Sequence, residues 1–494
     1  MSSLLTLPLA GLAFAAYLRW AGLRWTWSLA GTLLAWPFPP VAAACAIATL
    51  IGARWHRADV HDGGDLAQRA AARRGPLDTA RAHLSRRRPM LDAGGLAVGL
   101  DPDHAVVRLP LGQHSGTHAL VVGATGSGKT VTLAWTLARA IDAGHGAVIV
   151  DPKGDPLLRD QALAAALRNG RRFVEWTPSG PTAYNPYAHG TDGEVADKAL
   201  AAESYTEPHY LRQAQRYLGH AVRALRAAGQ TPTPARLVDL MDPKSLEVLA
   251  RRLPDEADAQ RIWDYLDTLE PRQRAGLSGA RDRLAILSES ELGRWLEPDA
   301  DDDEPVLDLL AAIRARAVVY FRLDADRLPL LAGMLAAAIV QDLLTVAADL
   351  QTDPTPTLVV IDEFSAIAAD GVSRLFGRAR AAGFSLFLAT QELADLRTAA
   401  PGLVDQVLGN LAAVVAHRQT VPDSADLIAR VGGTTPVWNT TRTIDRNTSN
   451  GDGSRTRTRE YVVDPDVVRR LSPGTAVVID ATRGTAAIAR IYHP

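Results

Sequence analysis

The chain has 494 residues but only one cysteine, Cys45, and four lysines, Lys129, Lys153, Lys198 and Lys244. A single cysteine excludes an internal disulfide, a cysteine-based zinc site and a dithiol redox pair. With lysine so scarce, arginine carries the positive charge, which together with the abundance of alanine marks a GC-rich genome. Net charge is also nearly missing: 53 Lys and Arg stand against 55 Asp and Glu, a formal −2. No global basic field announces a nucleic-acid partner, so any such surface must be local. No basic stretch precedes the first apolar run, which argues against a cleaved signal peptide. The length itself is too great for one compact core and implies two or three domains.

Charge is absent locally at the N-terminus. Leu4 to Leu18 is uncharged, and so is Trp27 to Gly52, which is broken by Pro37, Pro39 and Pro40. A bilayer core takes roughly 20 apolar residues in a helix. The second run meets this length, and the first does if it extends to Trp20. Arg19 and Arg24 sit beside Trp20, Trp25 and Trp27, an interface-like cluster. Arginines then recur from Arg54 and Arg57 to Arg86, Arg87 and Arg88. We expect a membrane anchor over residues 1–53 with two spanning helices, one span plus a surface helix being the alternative. The positive-inside tendency puts everything after residue 53 in the cytoplasm. Residues 54–110 read as a cytoplasmic linker ending in a first strand at Val106–Pro110, its arginines solvated or touching anionic lipid.

Gly123-Ala124-Thr125-Gly126-Ser127-Gly128-Lys129-Thr130 fits the phosphate-loop pattern G-x-x-x-x-G-K-[ST]. It follows the apolar run Ala119–Val122 and opens a helical segment, Val131 to Ala140, the context the motif requires. Glycines let backbone N–H groups curl around phosphate oxygens, and the helix N-terminus adds partial positive charge. Lys129 would reach the β- and γ-phosphates of ATP, and Thr130 would hold Mg²⁺. Thr357–Ile361 is an apolar strand ending in Asp362 and Glu363. Asp362 suits Mg²⁺, and Glu363 has the chemistry of a base that polarises water, which favours hydrolysis over mere binding. Phe384–Ala389 ends in Thr390 and Gln391, so Gln391 is either an ordinary strand terminus or an amide that senses the γ-phosphate. Arg378 and Arg380 precede that strand, as surface residues or as an arginine presented to a neighbouring subunit. Asp151-Pro152-Lys153-Gly154-Asp155 ends another strand, with Lys153 placed either for phosphate or in a structural turn. His114, Ser115 and His118 form no triad and read as loop residues.

From residue 117 apolar runs alternate with alanine-rich helical segments: Ala119–Val122, Ala147–Asp151, Arg172–Trp176, Ala317–Leu323, Thr357–Ile361, Phe384–Ala389 and Leu411–His417. Short uncharged runs of this kind suit a buried, mainly parallel sheet covered by helices. The fold class is α/β, a RecA-like P-loop nucleoside-triphosphatase domain. Residues 194–297 interrupt the alternation: Leu211, Ala214, Leu218, Ala221, Val222 and Leu225 recur at helical spacing, giving an all-α insertion. The motor domain is then residues 111–193 and 298–494. The acidic run from Glu297 to Pro305 lacks ordered ligand spacing and reads as a solvated loop. Trp438–Arg459 is rich in Thr, Ser, Asn, Asp and Gly with five arginines, and reads as a mobile loop or flexible hairpin tip. Tyr461–Val463, Thr475–Asp480 and Ala486–Tyr492 follow as terminal strands.

Taken together, the N-terminal apolar segments, Gly123–Thr130, Asp151–Asp155, Tyr184-Asn185-Pro186, the helical insertion, Ile361-Asp362-Glu363-Phe364 and Arg380-Ala381-Ala382-Gly383 leading to Ala389-Thr390-Gln391 resemble the coupling-protein ATPases of type IV secretion and bacterial conjugation, in the FtsK–HerA superfamily. The resemblance covers the chain from about residue 100 onward. It implies a homo-hexameric ring with ATP between subunits, DNA passing through or docking on the ring, and a relaxase and transfer-channel proteins as partners at the inner membrane. It also implies Lys129 and Thr130 at phosphate and Mg²⁺, Asp362 at Mg²⁺, Glu363 as base, Gln391 as sensor and Arg380 as the trans arginine finger. The insertion corresponds to the family's all-α domain. The long C-terminal extension frequent in the family has no counterpart after the last strand, which puts recruitment through such a tail in doubt. The leading expectation is a membrane-anchored DNA-translocating ATPase. Alternatives are a double-stranded DNA pump on the same core, a protein-export ATPase and a nucleotide-assembled scaffold; intact Lys129, Thr130, Asp362 and Glu363 argue against the last. The arginine-bearing stretch at Trp438–Arg459 reads as a plain surface loop or as a DNA contact.

Overall fold

The computed structural model describes residues 3–21, 26–35, 37–61, 90–112, 116–201, 208–298, 304–367, 369–445 and 448–494. The arginines from Arg69 to Arg88, His114, Ser115 and most of the acidic run lie outside these residues, as do the side chains of Arg54, Arg57, Arg442, Arg446 and Arg455. The chain divides into two compact units.

The first unit contains three N-terminal helices, α1 (Ser3–Trp20), α2 (Thr26–Leu34) and α3 (Pro39–His61). The expected second span, Trp27 to Gly52, is therefore not one helix. Pro37, Pro39 and Pro40 remove backbone donors and end α2, and Pro39 and Pro40 fall in the first turn of α3, where missing N–H groups cost nothing. Among the described residues one helix is long and apolar enough to cross a membrane, Pro329–Asp349, but 83% of its apolar window is buried, as befits a core helix. The N-terminal helices carry shorter apolar stretches, Leu7–Leu18 and Pro39–Ala53.

The second unit is built on a 12-stranded sheet. Its strands are β1 (Leu91–Asp92), β2 (Gly95–Leu100), β3 (Val106–Leu109), β4 (Ala119–Val122), β5 (Gly146–Asp151), β6 (Phe173–Trp176), β9 (Val318–Arg322), β10 (Thr357–Ile361), β11 (Phe384–Thr390), β12 (Ala413–Ala416), β15 (Thr475–Asp480) and β16 (Thr485–Ile491). A short separate pair, β7 (Ala183–Tyr184) and β8 (Val306–Leu307), flanks the helical insertion, and β13 (Thr434–Asp445) and β14 (Thr448–Tyr461) belong to the first unit. The strand order is β1-β2-β16-β15-β12-β4-β11-β10-β5-β9-β6, with β3 paired to β2. From β12 to β6 every pairing is parallel; from β15 outward every pairing is antiparallel. The stretch read as linker thus supplies β1 and β2 besides β3, the strand expected at Val106–Pro110. The signal of β2 is weak because Gly95 and Gly99 interrupt it. Gly99 is required there, since a Cβ would sit 2.3 Å from the carbonyl oxygen of Arg490.

All seven expected central strands form; apart from Arg322 of β9 and the half-buried Phe173 and Glu175 of the edge strand β6, their residues are buried between two apolar layers. One layer includes α4 (Lys129–Asp142) and α5 (Pro156–Arg168); the other centres on the long helix Pro329–Asp349. Between Asp192 and Leu296 the described residues are helical or in turns. These helices are α6 (Asp192–Ala199), α7 (Pro208–Ala227), α8 (Pro234–Leu240), α9 (Pro243–Ala250), α10 (Glu256–Asp267) and α11 (Pro271–Ser288), followed by a 3₁₀ turn, Gly293–Leu296. Their starts are written in the sequence: Thr233, Asp242 and Asp255 cap α8, α9 and α10 through their side chains, and Thr191 with Glu194 forms a capping box on α6. Leu218, Val222 and Leu225 of α7 form the centre of this region's own core.

The stretch Trp438–Arg459 is more regular than its composition suggests. Thr434–Asp445 (β13) and Thr448–Tyr461 (β14) pair antiparallel from Thr434↔Tyr461 to Asp445↔Thr448, with one bulge at Arg442/Ile444. Repeated threonines supply the β-propensity that a search for apolar runs passes over. Tyr461 ends β14, so Tyr461–Val463 is not a strand of the main sheet.

Candidate nucleotide site

The parallel strands put their C-terminal ends on one edge of the sheet, and β4 lies between β11 and β12. Three successive loops therefore meet: the turn after β4, the acids after β10 and the amide after β11. Gly126 and Gly128 carry φ of 74° and 115°, and Gly128 caps α4, a conformation glycine takes at no steric cost. Gly123 is required by contact instead, since a Cβ would meet Ser127 Oγ at 2.5 Å and His417 Cβ at 2.7 Å.

Lys129, the first residue of α4, donates to Asp362 Oδ1 at 2.8 Å and to Glu363 Oε1 at 2.7 Å. The same Glu363 oxygen accepts from Lys153 Nζ at 3.0 Å and from Gln391 Nε2 at 3.0 Å. Gln391 also accepts from Thr125 Oγ1 of the phosphate loop at 3.3 Å. Lys129, Asp362, Glu363, Gln391, Thr125 and Lys153 are thus one connected network. Thr130 lies in the first turn of α4, beside Lys129. Asp362 and Glu363 are both buried. Burial pushes Asp362 above the usual carboxylate range despite Lys129. Burial would raise Glu363 too, but Lys129, Lys153 and Gln391 outweigh it and hold Glu363 below its ordinary value. Burial alone would lower Lys129; Asp362 and Glu363 reverse this, and the ammonium titrates above its ordinary range. Glu363 takes φ 46°, a left-handed conformation that costs a non-glycine residue energy and recurs at functional sites.

Arg380 is not part of this network. It precedes β11, at the opposite end of a seven-residue strand from Gln391, about 20 Å away at some 3.3 Å per residue. His118, beside it, is buried; burial and the Arg380 charge push its imidazole down to about 4.

Three features escaped sequence reasoning in whole or part. Lys153 reaches Glu363, and Asp151 fixes the turn that carries it by accepting from the backbone N–H groups of Lys153, Gly154 and Asp155 at 2.7–2.9 Å. The Asp-Pro-x-Gly-Asp spacing is the signal for that turn. His417, at the end of β12, is held between Thr132 Oγ1 (2.8 Å) and the Thr475 carbonyl (3.1 Å), and burial lowers it to about 4. Gly474 N donates to Ser127 O at 2.8 Å. No local pattern links residues 417 and 474 to a loop some 300 positions earlier.

A phosphate loop on a central parallel strand, with paired acids on a neighbouring strand, defines the P-loop nucleoside-triphosphatase class. Residues 356–473 match the family model described as the TraM recognition site of TraD and TraG. Among solved structures, the bacterial conjugative coupling protein TrwB, in an unbound form lacking its N-terminal segment, matches with a TM-score of 0.62 at 19% identity, over 84% of this chain and 91% of that one. TrwB in complex with ADP and Mg²⁺ matches with a TM-score of 0.61, also at 19% identity, over 84% and 92%. VirB4 of Thermoanaerobacter pseudethanolicus matches with a TM-score of 0.52 at 16% identity, over 82% and 98%. At such identities the likeness establishes the fold. Among curated proteins, the structure-specific endonuclease subunit slx4 of Penicillium rubens is 30% identical over 166 residues, 33% of this chain and only 18% of that protein, so the match is confined to a segment. The family-model match and the fold support assignment to the conjugative coupling-protein and type IV secretion ATPases.

Proposed function

We propose that the chain is a membrane-anchored, ATP-hydrolysing DNA translocase that couples a relaxase–DNA substrate to a type IV secretion channel. The observation that carries the hydrolytic part of this reading is the convergence of Lys129, Lys153 and Gln391 on one oxygen of Glu363, with Asp362 on the same lysine; the DNA and channel parts rest on the match of residues 356–473. Lys129 exchanges its carboxylate partners for the β- and γ-phosphates when ATP binds. Glu363, which Lys129, Lys153 and Gln391 hold below its ordinary value before nucleotide binds, is then freed from Lys129 to accept a proton from the attacking water. Gln391, already joined to both Glu363 and Thr125, is placed to report the γ-phosphate to both. Gly123, Ala124, Thr125, Gly126, Ser127 and Gly128 wrap the phosphates.

Thr130 and Asp362 present hard oxygen donors, the kind Mg²⁺ takes alongside substrate phosphates rather than in an all-protein cage. When bound, Mg²⁺ neutralises charge developing between the transferring and leaving phosphates. TrwB has been captured with ADP and Mg²⁺ and with a non-hydrolysable ATP analogue, which supports the same ligands here.

Arg380 lies too far from its own phosphate loop to touch that nucleotide, which fits a role in trans within a homo-hexamer. The domain reading is an anchor over 1–53 in the inner membrane, a cytoplasmic stretch 54–110 whose strands β1–β3 belong to the motor's sheet, the motor residues 111–193 with 298–494, and an all-α insertion 194–297. A TraM-like relaxosome protein, a relaxase and channel proteins are the partners the resemblance and residues 356–473 suggest. The test is ATP hydrolysis by the full chain in detergent, with and without single- or double-stranded DNA, beside Lys129→Ala and Glu363→Gln. Stimulation by DNA that both variants abolish supports the motor. Stimulation by duplex alone favours a double-stranded DNA pump, and indifference to DNA favours protein export.

A further inference from the structure

We infer that His417 is a positioning residue for nucleotide binding: with Thr132 and the turn at Gly474 it holds the phosphate loop in its anion-binding shape before nucleotide arrives. This rests on the nucleotide reading above and deepens it. His417 lies outside the phosphate-loop pattern and the paired acids, and it acts on nucleotide through the loop.

The sheet puts it there. Strands β4, β12 and β15 are neighbours, with β12 in the middle. β12 runs parallel to β4 in the register Ala416↔Val122, and His417 N donates to Val122 O at 2.8 Å, one step past that pair. The residue after Val122 is Gly123, the first of the loop, so His417 stands beside it. Side chains alternate across a strand. His417 therefore falls on the face of Val415, in the layer that includes α4. On the other side β15 runs antiparallel, with Ala416↔Val477, which brings Thr475 to the same ring.

The two ring nitrogens then join separate segments. A carbonyl oxygen only accepts, so Nδ1 carries the proton and donates to Thr475 O at 3.1 Å. Nε2 is left as an acceptor, and Thr132 Oγ1 of α4 donates to it at 2.8 Å. Around the ring the backbones close in. Gly474 N donates to Ser127 O at 2.8 Å, and Ala124 N donates to Arg418 O at 3.1 Å. A Cβ on Gly123 would lie 2.7 Å from His417 Cβ. One on Gly128 would lie 3.2 Å from His417 Cε1 and 3.0 Å from Gly474 N. The first and last glycines of the loop are thus seated against one imidazole and one turn.

Glycine loses more conformational freedom on ordering than any other residue. A free glycine-rich loop would subtract that loss from the binding of every phosphate, and a loop already shaped by its neighbours does not. Such support serves phosphates common to ADP and ATP. It moves no proton and touches no transferring group. Its loss belongs in Kd and KM, and not in kcat.

The test uses the full chain in detergent, with fluorescent ADP and ATP analogues for binding and saturating ATP for turnover. Thr132→Val removes one hydroxyl at nearly constant volume and leaves Nε2 without its donor. His417→Asn keeps an amide donor for Thr475 O and loses the acceptor for Thr132, and His417→Phe loses both. His417→Phe should weaken ADP and ATP alike by about 10-fold and Thr132→Val by about 3- to 10-fold, with kcat changing by less than about twofold. His417→Asn should bind more tightly than His417→Phe. Combined with Thr132→Val it should cost no more than the larger single change, because both break the same bond. Unchanged Kd in Thr132→Val and His417→Phe, even with a lowered melting temperature, makes the ring a structural support only and overturns the proposal. A fall in kcat at unchanged KM also overturns it. Where His417→Phe fails to fold, Thr132→Val and His417→Asn decide by the same criterion. A wild type that binds neither nucleotide overturns the nucleotide reading itself, and the proposal with it.

Discussion

Glu363 is the residue on which the site turns. It is buried, left-handed in φ and bonded to two lysines and an amide through one oxygen. Glu363→Gln keeps the shape and removes the base. Hydrolysis should fall about 10²–10⁴-fold while ATP binding persists, which turnover and nucleotide-titration measurements check together. Lys129 sets the pH behaviour. In the wild type Glu363 titrates below its ordinary range, so it contributes stability at neutral pH that is lost as pH falls through its folded value. Without Lys129, burial acts on both carboxylates with less opposition and raises them, so their ionisation costs stability that is regained as pH falls. Thermal unfolding of Lys129→Met should therefore show a deficit against wild type that shrinks from pH 8 to pH 5; a deficit constant with pH contradicts this. Lys129, Asp362 and Glu363 were legible in the sequence because each belongs to a short pattern with a fixed neighbour. Lys153 was legible only as one of two options, because its partner stands 210 positions away. His417 was not legible at all.

At the level of elements, the central strands were readable because burial on both faces demands uninterrupted apolar runs, as in Leu358–Ile361 and Leu386–Ala389. The glycine-broken β2 and the threonine-rich β13–β14 ribbon were not, since neither carries that signal. Nor does composition reveal the device that ties the helical region to the sheet domain. Lys198 of α6 donates to Asp342, on the long core helix, at 2.6 Å, and to the carbonyls of Pro186 and His189; Tyr184 donates to the other oxygen of Asp342 at 2.8 Å. Both charged side chains are 1% exposed. Burial pushes Asp342 above the ordinary carboxylate range against the pull of Lys198 and Tyr184. Lys198→Ala leaves a buried carboxylate without its cation and should cost about 3–5 kcal/mol. Lys198→Met with Asp342→Leu should recover much of it, as chemical denaturation of the two variants will show. Tyr184-Asn185-Pro186, one of the motifs of the resemblance, is the turn that builds this polar cage.

For the molecule as a whole, the decisive geometry is the separation of Arg380 from the phosphate loop by the length of β11. A residue at the far edge of the sheet acts on nucleotide only if a neighbour's site meets that edge. Arg380→Ala should therefore retain ATP binding and lose turnover. Mixed with Lys129→Ala, it should regain some hydrolysis, because some interfaces then pair an intact Arg380 with an intact Lys129; mixing that restores nothing contradicts action in trans. The central claim is that hydrolysis moves DNA, and it is tested most directly by displacement of a protein roadblock bound to the end of a DNA strand. The full chain in detergent should clear the block with ATP and Mg²⁺, on single- or double-stranded DNA. Glu363→Gln should bind ATP and leave the block in place. Brisk hydrolysis with no displacement on either form of DNA would contradict the account.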